Sequence, residues 1–238
     1  MNRILVLNPK GGSGKTTIAT NLASYYACQG VGTALLDYDP QGSSARWASQ
    51  RHEDLPPVHC VNACAKTNTA MTRSWYLRVP PGTEQMIIDA PAGVTGAKLQ
   101  EFLRNVDAIL IPVMPSSIDV HAMAKFIQEL LLQGKVKQRG IKVGIVANRV
   151  KAKTNAYRAL MQFLSTLKLP FITSIRDSQY YVAAADMGIG VHEISGKMLE
   201  NDKEQWHKLY EWLQDSEQNY ESDSDFLQTG HLSYHQHT

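Results

Sequence analysis

The chain has 238 residues, 43% of them hydrophobic and 19% charged, with a mean hydropathy of -0.27, the composition of an ordinary globular protein of one large domain or two small ones. Collagen-like, disulfide-stapled and wholly disordered chains are excluded, no segment approaches the ~18 consecutive apolar residues of a membrane-spanning helix, and the opening Met1-Asn2-Arg3 before the short apolar run Ile4–Leu7 is not expected to be a signal peptide. The formal net charge of +2 hides a split: Lys208 is the last basic residue, and the six acids that follow it (Glu211, Asp215, Glu217, Glu221, Asp223, Asp225) leave residues 1–208 at +8, with 24 bases against 16 acids, a pattern that suits a polyanionic partner or simply a solvated acidic tail.

Apolar, β-rich runs alternate with helical patterns along the chain. In order, strands are predicted at Ile4–Leu7, Thr33–Asp37, Val58–Val61, Met86–Asp89, Ala108–Val113, Val143–Ala147 and Phe171–Ile175. Several are short, continuous and rich in Val and Ile, as in a parallel sheet covered on both faces. Helices are predicted at Thr16–Gln29, Ala97–Arg104, Val120–Leu132, Tyr157–Leu167 and Asp202–Gln214. The third of these carries Val120, Met123, Ala124, Ile127, Leu130 and Leu131 at helical spacing, with Asp119 as its expected N-cap. The alternation predicts one doubly wound α/β domain, a mostly parallel sheet flanked by helices, over residues 1–214. Residues 215–238 read as an acidic, disordered tail ending with His231, His235 and His237.

The segment Lys10-Gly11-Gly12-Ser13-Gly14-Lys15-Thr16-Thr17 follows the first strand and opens the first helix. Its glycines let successive backbone N–H groups converge on phosphate oxygens, and the helix N-terminus adds positive potential. Lys15 is expected to neutralise the β- and γ-phosphates and Thr16 to ligate Mg²⁺. Pro9 stands where the usual first glycine of a phosphate-binding loop would be, so the segment fits the deviant form K-G-G-x-G-K-T-[ST]. An ATP site with Mg²⁺ is the reading.

On this loop the chain resembles the ParA/MinD group of deviant Walker-A P-loop ATPases. Three further segments carry the resemblance: Leu35-Leu36-Asp37-Tyr38-Asp39-Pro40-Gln41-Gly42, the Walker-B-like Ile87-Ile88-Asp89-Ala90-Pro91-Ala92-Gly93, and Asn148-Arg149 after an apolar strand. The compact opening is most similar to small ParA proteins of the ParF type, which lack an N-terminal DNA-reading domain. The resemblance implies that Lys10 reaches across a nucleotide-sandwich homodimer to the partner's phosphates, as an arginine finger does in trans. It implies that Gly11, Gly12, Ser13, Gly14, Lys15, Thr16 and Thr17 hold the phosphates, Thr17 at the α-phosphate. It also implies that Asp39 orients or deprotonates the attacking water, that Asp39 and Asp89 hold Mg²⁺ through water beside Thr16, and that Asn148 meets adenine. Lys10, Lys15 and Asp39 are thus the expected catalytic residues.

Simpler readings stand beside these. Asp39-Pro40 is also ordinary turn chemistry, Asn148 also suits a cap or turn, and Asp37 is expected to play a supporting part. The nitrogenase iron protein shares the loop, but no cysteine follows Cys64, so Cys28, Cys60 and Cys64 read as reduced thiols in a cytoplasm rather than cluster ligands.

The resemblance implies a weak ATPase, stimulated by an adaptor and by DNA, whose ATP-bound homodimer binds nonspecific DNA over the nucleoid and works with a ParB-like or centromere-binding adaptor in plasmid or chromosome partition. Related members position a protein cargo such as a microcompartment or chemoreceptor cluster. A MinD-like membrane switch is disfavoured because the chain ends acidic rather than in a basic amphipathic helix. A ligase of the dethiobiotin synthetase kind is disfavoured by Lys10, and a tyrosine kinase by the scatter of Tyr220 and Tyr234. Candidate DNA contacts are Arg176, Lys151, Lys153, Arg158, Lys197 and Lys203, with Lys208 in addition.

Overall fold

A computed structural model describes residues 1–64, 77–115 and 120–215, except the side chain of Gln133. Its elements are β1 (Asn2–Val6), α1 (Lys15–Cys28), β2 (Thr33–Asp37), α2 (Ser43–Gln50), β3 (His59–Asn62), β4 (Gln85–Asp89), α3 (Gly96–Phe102), β5 (Ala108–Val113), α4 (Val120–Gln133), β6 (Lys142–Val150), α5 (Asn155–Leu164), β7 (Phe171–Arg176), α6 (Gln179–Asp186) and α7 (Glu200–Gln214). The strands form one sheet in the order β3-β2-β4-β1-β5-β6-β7, and every pairing in it is parallel. This is the doubly wound α/β fold that the alternation predicts.

Strand periodicity of two divides the core into layers. Leu5 and Leu7 of the first strand segment pack with Leu36, Ile88, Ile109, Phe126, Leu130 and Leu160 on one face. Ile4 and Val6 pack with Ile18, Leu22, Trp47, Trp206 and Leu209 on the other. Ile4, Leu5 and Val6 are fully buried, as expected for a central strand with helices on both sides.

β1 lies between β4 and β5, while the chain leaves it for β2 on one side and returns for β5 on the other. Ligands of open α/β sheets bind outside the carboxyl ends of the strands at such a switch point. The loop Lys10–Gly14 and Asp39 follow strands at this edge, Asp89 ends one, and Asn148 lies near the end of β6.

Two helices have no counterpart in the sequence prediction. α2, Ser-Ser-Ala-Arg-Trp-Ala-Ser-Gln, is short and buries only Ser44 and Trp47. Its first turn is held by a side chain from another element, since Asp37 Oδ2 accepts from Ala45 N at 2.9 Å. α6 buries Ala184 alone and so offers little apolar periodicity. α5 begins earlier than predicted because Thr154 caps it by accepting from Tyr157 N, and it ends at Leu164 rather than Leu167. Asp119 and residues 216–238 lie outside the described residues, whereas Glu211, counted with the acidic end of the chain, belongs to α7.

Candidate nucleotide-binding site

The loop between β1 and α1 is pinned from three directions. Buried Asn8 donates through Nδ2 to Pro112 O at 2.7 Å and accepts from Lys10 N through Oδ1 at 2.8 Å. Gly93 N donates to Pro9 O at 2.8 Å, which joins the loop to the segment after β4. Asn148 Nδ2 donates to Ser13 O at 3.1 Å, which joins it to β6. Gly14 takes φ of 89°, a left-handed value that favours glycine. A Cβ there would stand 1.8 Å from Asn148 Nδ2. Gly11 and Gly12 are exposed at the opening of the loop.

Lys15 begins α1 and is only 6% exposed, with Nζ 3.4 Å from Lys10 O. Burial lowers its pKa, and the nearby carboxylates of Asp89 and Asp39 oppose that shift. Lys10 itself is exposed.

Asp89, at the end of β4, is fully buried. Its Oδ2 accepts from Thr16 Oγ1 at 2.8 Å and from Ser44 Oγ at 2.8 Å. Its Oδ1 is buried without a hydrogen-bond partner among the described residues. Burial pushes the Asp89 carboxyl up to about 6, against the hydrogen bonds from Ser44 and Thr16 that pull it down. A buried carboxylate with one oxygen without a donor and the other bonded to a threonine hydroxyl, and an Asp39 carboxylate that acts on the same Lys15, make an all-oxygen set that fits a hard divalent cation. These residues fit Mg²⁺.

Asp39 is half-buried, and its Oδ1 accepts from Gln41 N at 3.0 Å while its carbonyl accepts from Gly42 N at 2.9 Å. Its carboxylate therefore already closes the Asp39–Gly42 turn. Fully buried Asp37 holds that turn from beneath, accepting from Asp39 N at 3.0 Å through Oδ1. Burial raises the Asp37 pKa, with backbone N–H donors opposing.

Asn148 is 2% exposed. Besides its bond to Ser13 O, its Oδ1 accepts from Arg149 N at 3.0 Å, so the amide lies beneath the loop rather than open to solvent. Thr17 contributes its carbonyl to Asn21 Nδ2 at 2.8 Å. A cavity of about 470 Å³ opens beside Thr16 and Thr17, walled by Trp47, Tyr181, Asp186 and Ile189.

The basic candidates fall in separate places. β6 pairs with β7 so that Val150 faces Arg176, bringing Lys151, Lys153 and Arg158 toward the same end of the sheet as Arg176. Lys151 is 73% exposed and lies 3.5 Å from Asp177. Lys153 is exposed at φ 66°, and Arg158 donates to Asn155 Oδ1 at 2.8 Å. Lys197 occupies the 3-10 turn Lys197–Leu199, and Lys203 and Lys208 are on α7. Arg176 is only 40% exposed, and its guanidinium grips the fully buried Asp202 by three hydrogen bonds of 2.9, 2.9 and 2.5 Å. Its charge is thus matched within the chain by Asp202, with part of the side chain still open to solvent.

Sequence reading missed Asn8 and Ser44. Ser44 carried no signal because α2 itself was not predicted. Asn8 precedes a proline in a strand-to-loop step, which marks a turn and not a loop anchor.

A parallel sheet with a glycine loop, a buried lysine and a threonine bonded to a strand-end aspartate at its switch point defines a P-loop nucleotide-binding protein. The chain belongs to the CobQ/CobB/MinD/ParA nucleotide binding domain family, whose model matches residues 4–191. It is 26% identical over 199 residues to the maintenance of carboxysome distribution protein A of Halothiobacillus neapolitanus, covering 82% of this chain and 88% of that protein. It is 25% identical over 209 residues to the protein ParA of Rhizobium radiobacter, covering 76% of this chain and 90% of that protein. Its fold is similar to that of a Cyanothece McdA variant in complex with ATP, with a TM-score of 0.64 at 18% identity over 92% of this chain and 98% of that one. Among the described residues no helix is long and apolar enough to cross a membrane.

Proposed function

We propose that this chain is a ParA-type ATPase, an ATP-dependent dimerisation switch on nonspecific DNA that drives partition of plasmid or chromosomal DNA with a ParB-like adaptor. The observation that carries the reading is the convergence of Lys15, Thr16 and Asp89 behind a glycine loop that presents Lys10 at its exposed rim. The loop amides from Gly11 to Thr17 and the Lys15 ammonium bind the phosphates, and Thr17 meets the α-phosphate. Thr16, Asp39 and Asp89 would hold Mg²⁺, the two carboxylates through water, and the ion would supply charge neutralisation at the β- and γ-phosphates. Asp39 orients the attacking water, in line with the leaving phosphate oxygen. Lys10 engages the phosphates of a second copy, which couples ATP binding to dimerisation. Asn148 sets the position of the loop from below through Ser13 O, and its part at the adenine edge requires that amide to turn from the loop toward the base. The domain spans residues 1–214, and residues 215–238 form an acidic tail.

DNA attachment follows from the +8 balance of residues 1–208. Lys151, Lys153 and Arg158 on one corner, with Lys197 and Lys203, supply the phosphate contacts. Fluorescence anisotropy with random-sequence duplex tests this reading. Binding is expected with ATP, weak with ADP, insensitive to sequence and steeply reduced by salt; equal binding in both nucleotides overturns it.

A second reading concerns the cargo. Similarity to carboxysome distribution proteins over 82% and 88% of this chain favours a protein assembly carried over the nucleoid by the same switch. Deleting the gene distinguishes the two: plasmid or chromosome loss supports DNA as cargo, whereas clustering of a protein assembly with faithful DNA inheritance supports the second.

A further inference from the structure

α1 starts at the phosphate loop and ends at Cys28, about 20 Å away at ~1.5 Å rise per residue. The 3-10 turn Val191–Glu193 packs against this far end. Cys28 Sγ donates to Glu193 Oε1 at 3.3 Å. A ring nitrogen of His192 joins them, and the three ligand atoms lie within 4.8 Å of one another.

The hydrogen bonds prepare these groups for an ion. Ser24 Oγ donates to Asn21 O at 3.2 Å, so it accepts from His192 Nε2, 3.2 Å away. That arrangement corresponds to the tautomer with the proton on Nε2, which leaves the lone pair on Nδ1, buried without a partner among the described residues. Imidazoles that ligate metals are typically oriented in this way through their other nitrogen. Tyr25 meets the ring edge-on at 5.5 Å. Glu193 is fixed as well, accepting from Arg51 at 2.6 and 2.9 Å and from Gly190 N at 2.7 Å.

We propose that Cys28, His192 and Glu193 form a binding site for a borderline divalent cation of the zinc type, separate from the nucleotide site. A thiolate with an imidazole selects zinc over magnesium, and three protein donors leave the fourth tetrahedral position to water. On loading, the ion replaces the Cys28 thiol proton, which leaves to solvent, and Arg51 keeps its hold on Glu193. The ion staples the end of α1 to the 191–193 turn. Val191 N already donates to Asn21 Oδ1 at 2.8 Å, and Asn21 in turn holds the Thr17 carbonyl, so the staple stiffens the helix that presents the phosphate loop.

The test is a Co²⁺ titration of the full-length chain, without nucleotide, in a background with His231, His235 and His237 changed to Ala so that no tail imidazole contributes. One Co²⁺ per chain with a thiolate-to-cobalt charge-transfer band, displaced by Zn²⁺, is expected. Cys28→Ser should abolish the band, and His192→Gln should weaken Zn²⁺ binding by about tenfold or more, whereas Cys60→Ser and Cys64→Ser should change neither. Absence of the band, or its survival in Cys28→Ser, overturns the proposal. Alkylation of the unaltered chain gives a readout independent of variant folding, since Cys28 and Cys64 are both exposed. Stoichiometric Zn²⁺ should protect Cys28 and not Cys64, and equal labelling of Cys28 with and without Zn²⁺ overturns the site.

Discussion

The Thr16 hydroxyl donates to Asp89 Oδ2 across 2.8 Å, tying the first turn of α1 to the end of β4 beside the point where the strand order reverses. Both residues are fixed before any ligand arrives. Asp89 carries the cost of its burial, with its pKa raised to about 6. In the nucleotide-free protein the folded state then binds this proton more tightly than the unfolded chain. Stability falls as pH rises from the ordinary carboxylate range to about 6 and is flat above it, by roughly 3 kcal/mol at most for this group. Urea melts across that range should show the decline, and Asp89→Asn should flatten it. A variant with the same pH slope as the parent protein would place the titration elsewhere.

Lys15→Ala removes the cation expected at the β- and γ-phosphates. Charged hydrogen bonds of ~1.5–3 kcal/mol each translate into a loss of roughly a hundredfold in ATP affinity. Calorimetry with ATP and Mg²⁺ measures it, and wild-type affinity would remove Lys15 from the phosphate site.

Lys10→Ala should bind nucleotide as a monomer, because the loop amides and Lys15 are untouched, but neither dimerise nor hydrolyse. Light scattering with a slowly hydrolysed ATP analogue decides the matter: a dimeric variant rules out the cross-subunit role.

At Asp39 two substitutions separate chemistry from turn geometry. Asp39→Ala loses both the carboxylate that positions water and the acceptor for Gln41 N. Asp39→Asn keeps a side-chain acceptor but no carboxylate. If Asp39 acts on water, both variants bind ATP and both lose turnover by on the order of a hundredfold. Wild-type, adaptor-stimulated hydrolysis by the Asn variant would leave Asp39 with the turn alone.

Arg176 is held by Asp202 within the chain, whereas Lys151, Lys153 and Arg158 are the proposed DNA contacts. Arg176→Ala strips the fully buried Asp202 of its guanidinium donors and leaves it Tyr181 Oη at 3.1 Å. Because Arg176 is partly exposed, the expected destabilisation is about 2 kcal/mol, below the range for wholly buried pairs. Replacing Lys151, Lys153 and Arg158 by Ala should instead leave thermal stability unchanged. The salt slope of DNA binding should fall by about 1 for each DNA phosphate that the variant no longer neutralises. Unchanged anisotropy curves in that triple variant would move the DNA surface away from this corner.

The sequence by itself determined the parallel α/β class, the positions of seven strands to within a few residues, and the loop Lys10–Thr17. It did so because those features are written locally: apolar runs of strand length, and glycines followed by lysine and threonine at a strand-to-helix step. Family membership was legible for the same reason, since Asp37, Asp39, Asp89 and Asn148 stand at strand ends in chain order. What only the tertiary structure decided is what each polar group does there. Asn148 reads as an amide suited to a base edge, yet packing sets it beneath Gly14 with its nitrogen on Ser13 O. Ser44 reads as nothing in particular, yet the turn after β2 brings it to the same oxygen of Asp89 that Thr16 holds. Arg176 reads as a candidate DNA contact, and only the meeting of β7 and α7 shows that its guanidinium also holds Asp202. Cys28 and His192 are remote in the chain and belong to no spacing motif, and only the packing of a 3-10 turn on the end of α1 joins them. Hydrogen bonds and ion pairs between distant residues depend on how helices are docked on the sheet, and no local pattern of residue types encodes that docking.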